Sequence, residues 1–132
     1  MTTLTQAKHS ILELLPELKG WHVYTNGIAT AAKPPWVVVA VRETGRGYTE
    51  SLHVGNHLVT LDIRVVGDTD DGVNIVCSKL QDELDGIRPA DPNIGALLPE
   101  TDSGVYSSEL LQPDSSTPYV MRVLTWRTGF AS

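Results

Sequence analysis

His53 and His57, in the stretch ETGRGYTESLHVGNH from Glu43 to His57, are the first residues whose type and spacing could do chemistry. Two histidines four residues apart on a helix share one face and can hold a zinc ion together. Here Gly55 and Asn56 intervene and a strand-like run follows, so that geometry is not expected, and no further His, Cys or acidic residue is spaced to complete the site. Two exposed loop histidines are expected instead. The same stretch contains GRGYTE (Gly45 to Glu50), which lacks the Gly-Lys-Ser/Thr ending of a phosphate-cradling loop and the third glycine of a dinucleotide motif. It leads from strand to strand, so no helix N-terminus would face a phosphate, and its glycines read as hairpin-bend residues.

Other templates fail in similar ways. In GDTDDGVNIVCSK, a calcium loop starting at Asp68 would need glycine where Val73 stands and a bidentate glutamate where Lys79 stands. The three aspartates Asp68, Asp70 and Asp71 instead suit a helix N-terminus, whose dipole favours negative charge. Cys77 falls on the apolar stripe of that helix and reads as a small core residue, not a nucleophile. No Gly-x-Ser-x-Gly occurs, and Asp82 and Asp85 sit at a solvated helix end with nothing to nominate them for acid–base work. No cofactor, no metal and no catalytic activity are expected.

Composition narrows the classes further. A chain of 132 residues, 41% hydrophobic and 20% charged, suits one domain of ordinary globular type. Residues 1–66 hold six Lys/Arg against five Asp/Glu, whereas residues 67–132 hold four against eleven. The acidic second half lacks the basic footprint of a nucleic-acid reader and fits a solvated face that aids solubility. The lone Cys77 allows no intrachain disulfide and fits a reducing compartment. The start MTTLTQAKHSILELL resembles no secretory signal, and no apolar run reaches membrane-span length, so a protein made and soluble in the cytoplasm is expected.

The elements that would position these residues follow from periodicity. Thr3 and Gln6 form a capping box, and Leu4, Ala7, Ile11, Leu14/Leu15 and Leu18 recur at helical spacing, which predicts a helix of three or four turns ending between Leu15 and Gly20. WHVYTN (Trp21 to Asn26) alternates and stops at Asn26-Gly27, a short strand. WVVVAV (Trp36 to Val41) is continuously apolar, the pattern of a strand covered on both faces or central in its sheet. HLVTLDIRVV (His57 to Val66) puts Val59, Leu61, Ile63 and Val65 on one face, a half-exposed strand. The two pair antiparallel, with residues 43–57 as an extended hairpin.

A second helix is predicted over about residues 71–85, with Asp70 or Asp71 as N-cap and Gly86 as its stop. Residues 87–104 show no period and read as an irregular excursion. Strands are predicted at Val105 to Leu111 and Tyr119 to Thr128, the latter alternating Val120, Leu124 and Trp126 against Met121, Val123 and Thr125, with Arg122 out of phase. The economical assembly is a single α+β domain: one twisted, mostly antiparallel sheet of about five strands with two α-helices on one face.

Taken in order, ILELLPEL, WHVYTN, KPPWVVVAV, a polar hairpin and HLVTLDIRVVGDTDDGVNIVCSKLQDELDG resemble the tail terminator, or tail completion, proteins of long-tailed bacteriophages. The resemblance spans residues 5–130 in outline, and its specific part is PPWVVV and VTLDIRV with the following leucines. It implies an α+β fold and a ring, six copies by the family's pattern, that caps the finished tail tube and joins it to the neck below the capsid. It implies a virion protein of the tail and neck, with itself, a tail tube protein and a neck or head-completion protein as partners. DNA would pass through the lumen without specific binding, and no membrane is involved.

The family works through surfaces and transfers no functional residue. From the residues themselves, the hairpin set Arg42, Glu43, Arg46, Tyr48, Glu50 and His53 is expected to contact another subunit, mixed charge and a tyrosine being suited to protein contact. Asp82, Asp85, Asp91 and Glu100 are expected to give an acidic lumen that repels phosphate. The chain departs from the family's pattern in the length of the excursion over residues 87–104, so the resemblance does not assign the ring-lining segment. The rival readings are a different phage neck or head-completion connector, a small metal-dependent or thiol enzyme built on His53, His57 and Cys77, and a generic binding module.

Overall fold

A computed structural model describes residues 2–30, 33–48, 54–112 and 117–131. In chain order the elements are α1 (Leu4–Leu12), β1 (His22–Tyr24), β2 (Trp36–Tyr48), β3 (Val54–Gly67), α2 (Asp70–Leu84), β4 (Leu98–Asp102), β5 (Tyr106–Leu111) and β6 (Pro118–Ala131). They build the expected α+β class. The sheet has six strands in the order β1-β2-β3-β6-β4, with β5 also paired to β6. Every pairing is antiparallel except that of β1 with β2.

The Thr3–Gln6 capping box opens α1, with both reciprocal hydrogen bonds present. The helix ends at Leu12 with Glu13 as its cap, earlier than the leucine spacing suggests. Pro16 accounts for this, since it disfavours helical backbone at Leu15 and the preceding turn tightens: the Leu14 and Leu15 N–H groups bond three residues back, to Ile11 and Leu12. In α2 the N-cap is Thr69, whose hydroxyl accepts from the Gly72 N–H. Asp70 and Asp71 thus occupy the first turn, where the dipole still favours them. Gly86, at φ 71°, lies just past the Asp85 cap as expected.

The strand count exceeds the expected five because the excursion is not wholly irregular. Leu98–Asp102 pairs with β6, Leu98 opposite Arg127 and Asp102 opposite Leu124. Neither alternation nor β-branched content marks this strand, and it is exposed throughout. Its pairing is supplied by the partner strand. The first half of the excursion closes one end of the core: Ile94 and Leu97 are fully buried. The Gly95 N–H bonds to the Gly129 carbonyl, and Thr128 Oγ1 donates to the Gly95 carbonyl at 2.8 Å.

The main core cluster lies on one side of the sheet. Val37 and Val39 of β2, Val59, Leu61, Ile63 and Val65 of β3, and Leu124, Trp126 and Phe130 of β6 form one cluster with Ala7 and Ile11 of α1 and Val73, Val76, Cys77, Leu80 and Leu84 of α2. Burying each branched aliphatic residue of this set contributes about 1.5–3 kcal/mol. Val38 and Val66 point the other way and stand outside that cluster, although little exposed. The continuously apolar β2 is buried on both faces at Val37, Val38 and Val39, with helices on one face only, and β3 holds the central place in the sheet. Among the described residues no helix is long and apolar enough to cross a membrane.

Candidate functional site

The β2–β3 hairpin is paired through most of its described part, the stretch expected to form an extended hairpin. The register runs Arg42 with Thr60, Glu43 with Val59, Gly45 with Leu58, Arg46 with His57, Gly47 with Asn56 and Tyr48 with Val54, with shifts beside Gly45 and Gly47. Gly45 is thus a bulge residue within a ladder instead of a bend residue. A Cβ there would come 3.2 Å from Leu58 Cδ1. Glu50 and His53 lie outside the described residues, and Arg46 and Tyr48 are placed by their backbone in β2.

Arg42 and Glu43 are adjacent, so the pleat sends them to opposite faces. Arg42 Nη2 lies 3.2 Å from Asp62 Oδ2 while 60% of its side chain stays exposed. Glu43 turns to the helix side, where its Oε1 meets His57 Nδ1 at 2.6 Å. His57 is not an exposed loop histidine: it sits in β3 with 16% of its side chain exposed, and its ring stacks on Phe130 at 4.5 Å and 5°. Among the described residues no group of three His, Cys, Asp or Glu side chains could hold a metal ion.

The four acidic residues expected along a lumen lie on three segments, the end of α2, the excursion and β4. Asp82 is exposed on α2 and Glu100 on β4. Asp85 and Asp91 have work inside the subunit. Asp85 Oδ1 accepts the Trp126 indole N–H at 2.6 Å. Asp91 Oδ2 accepts from Thr2 Oγ1 at 2.9 Å and its Oδ1 from the Asn93 N–H, tying the N-terminal segment to the excursion. Asp85, Glu100 and Asp102 border one shallow hollow between α2 and β4.

Arg122 is the polar residue that sequence reading set aside. It faces the helices in phase with Val120, Leu124 and Trp126, opposite Val65. Its guanidinium grips Asp102 in a two-point pair, Nε to Oδ1 at 2.8 Å and Nη2 to Oδ2, while Nη1 donates to Asn74 Oδ1 at 2.9 Å. This pair holds the Asp102 carboxyl down at about 2, the arginine's hydrogen bonds being the largest cause, and raises the arginine in turn. The contact joins β4, β6 and α2. Nearby Cys77 is buried, and burial pushes its thiol up to about 11 despite the Arg122 charge, so a thiolate nucleophile has no support there. A charged residue in step with a core alternation was the signal available for Arg122.

The side of the sheet away from the helices, the face of β3 that periodicity left half exposed, is a further surface. Strand register places Trp36, Val66 and Met121 in one row, Val38, Arg64 and Val123 in the next, then Ala40, Asp62 and Thr125, then Arg42, Thr60 and Arg127. Asp62 is 9% exposed, lies between Arg42 and Arg64, and its Oδ1 has no hydrogen-bond partner; Arg64 Nε stands 3.9 Å away. Both arginines remain more than half exposed. No protein-family model matches the chain, and no curated protein matches it either.

Proposed function

We propose that this protein is a ring-forming subunit that terminates the tail tube of a long-tailed phage and joins it to the neck, working through surfaces in a virion and not through catalysis. Six copies is the expected number. Growth of the tube would stop because one annular face complements the last tube ring while the other offers no site for a further tube subunit. Of the segments that carry the resemblance, WVVV opens β2 directly after Pro34-Pro35 and VTLDIRV lies in β3, the strands that bear the hairpin.

One observation carries the reading. Among the described residues β1 covers the outer edge of β2 only at Trp36 to Val38, and the Gly27 N–H takes the Val39 carbonyl at 3.0 Å. Among the described residues that edge has no strand beside it from Arg42 to Tyr48, while β2 stays paired with β3 through register shifts beside Gly45 and Gly47. A strand edge left open in this way can accept a strand from a neighbouring subunit. The hairpin residues Arg46 and Tyr48 lie on it, and Glu50 and His53 follow in sequence.

The test is to purify the full chain, measure its mass in solution and image it alone and with tail tubes. A ring of about six copies that binds one end of the tube is the expected result. A strict monomer that binds a metal stoichiometrically would overturn the reading in favour of the enzyme alternative. In ring images, Asp82, Asp85, Asp91 and Glu100 on the outer wall would remove the acidic-lumen part alone.

A further inference from the structure

The two broad surfaces of the subunit carry opposite charge. The sheet face without helices presents Arg42, Arg64 and Arg127 against Asp62, which is buried. The exposed side of α2 presents Asp70, Asp71, Asp82 and Glu83 against Lys79. We infer that the helix-free sheet face of one copy seats the outer face of α2 of the next copy, a head-to-tail contact that repeats around a ring. The inference rests on the ring reading above and names the surfaces that would close it.

Spacing supports the match as well as sign. Asp71, Ile75, Ser78 and Asp82 recur at four, three and four residues and so form one stripe on α2. Asp71 and Asp82 stand about 16 Å apart at helical rise. On the sheet, Arg127 pairs with Thr60, four residues along β3 from Arg64, and this puts the two arginines about 14 Å apart. Between the arginines lies a row of short side chains, Ala40, Asp62 and Thr125. Between the aspartates stands Ile75, 62% exposed, whose natural neighbours in such a contact are Val123 and Thr125 of β6.

The geometry of the charges favours this use. Arg64 approaches Asp62 only to 3.9 Å, too far for a hydrogen bond, so its guanidinium remains available to a second carboxylate. An antiparallel copy packing sheet face on sheet face would set arginines against arginines, and helix on helix would set carboxylates against carboxylates. The heterologous pairing alone satisfies both surfaces, and heterologous contacts that close make rings.

A charge swap tests this in the full chain. One variant carries R64E and R127E on the sheet, the other D71K and D82K on the helix, and R127E alone serves as a milder sheet variant. Sedimentation of wild type, each variant and their equimolar mixture gives the outcome. Each double variant alone should associate at least tenfold more weakly than wild type. The mixture should regain wild-type mass, since every contact between unlike copies is again complementary. Raising salt from about 0.1 to 1 M, which shortens the screening length from about 10 to 3 Å, should weaken wild-type association. A wild-type ring that survives in both variants, or a mixture that fails to recover, overturns the surface assignment and leaves the ring reading standing. A wild type that stays monomeric overturns both.

Discussion

Trp126 donates its indole N–H to Asp85 Oδ1 at 2.6 Å, which ties the middle of β6 to the residue that caps the C-terminus of α2. Trp126 is 1% exposed, so its one polar atom needs a partner within the protein. The bond fixes where α2 ends above the sheet. Replacing Asp85 by Ala should cost about 1–2 kcal/mol, since a buried N–H is left unsatisfied, while Asp85→Asn keeps an acceptor and should cost less. Urea unfolding of the two variants checks this; equal loss would show that the bond contributes nothing beyond the cap.

The Arg122–Asp102 pair predicts a response to acid. Asp102 lies at about 2 in the folded protein against 3.8 as an ordinary carboxyl. A depressed folded value means that its contribution is fully present above about pH 4 and is lost as pH falls toward 2. Asp102 has 39% of its side chain exposed, so the effect is screened and modest. Thermal melting between pH 5 and 2 should fall more steeply for the wild type than for Asp102→Asn. Parallel curves would assign the acid sensitivity elsewhere.

Gly67 is constrained by Trp21. A Cβ at this position would lie 2.7 Å from Trp21 Cη2 and 3.2 Å from Val73 Cγ2, where β3 gives way to α2. Gly67→Ala should therefore destabilise by about 1–3 kcal/mol through overpacking. Adding Trp21→Leu should make the glycine replacement cheaper by more than the error of a double-mutant cycle, about 0.5 kcal/mol. Additive losses would exclude the indole as the cause.

Cys77 should be inert in the folded state. It is fully buried on α2 and its thiol stands near 11. Reaction with an aromatic disulfide reagent at pH 8 should run about a hundredfold slower than in denaturant, because the thiolate is the reacting species and access is closed. A fast native reaction would place the thiol at the surface and revive the thiol alternative.

Local pattern was sufficient wherever one side chain's preference decided the backbone. The Thr3–Gln6 box, the apolar stripe of α2, the Gly86 stop and the alternation of β3 are all present in the structure, since each depends on neighbours within one or two turns or on a single buried face. Arg122, out of phase as a polar residue in the β6 alternation, turns out to face the helices with the core residues. Its partners Asp102 and Asn74 are 20 and 48 residues away, and the pairing exists only because β4 and α2 meet β6 there.

The rest was decided by packing between distant segments. Leu98–Asp102 carries no strand signal and becomes β4 by the hydrogen bonds that β6 offers it. Glycines and charges interrupt the period from Glu43 to Tyr48, so the sequence marks a hairpin there without its register, and pairing with β3 sets the ladder and its shifts beside Gly45 and Gly47. Glu43 and His57 became a pair, and Asp85 a partner of Trp126, by register and helix placement. Composition alone determined that the second half is acidic. That the acidity gathers on the outer face of α2, opposite a sheet face carrying three arginines, follows from both helices docking on the same side of the sheet, where the apolar residues of β2, β3 and β6 converge.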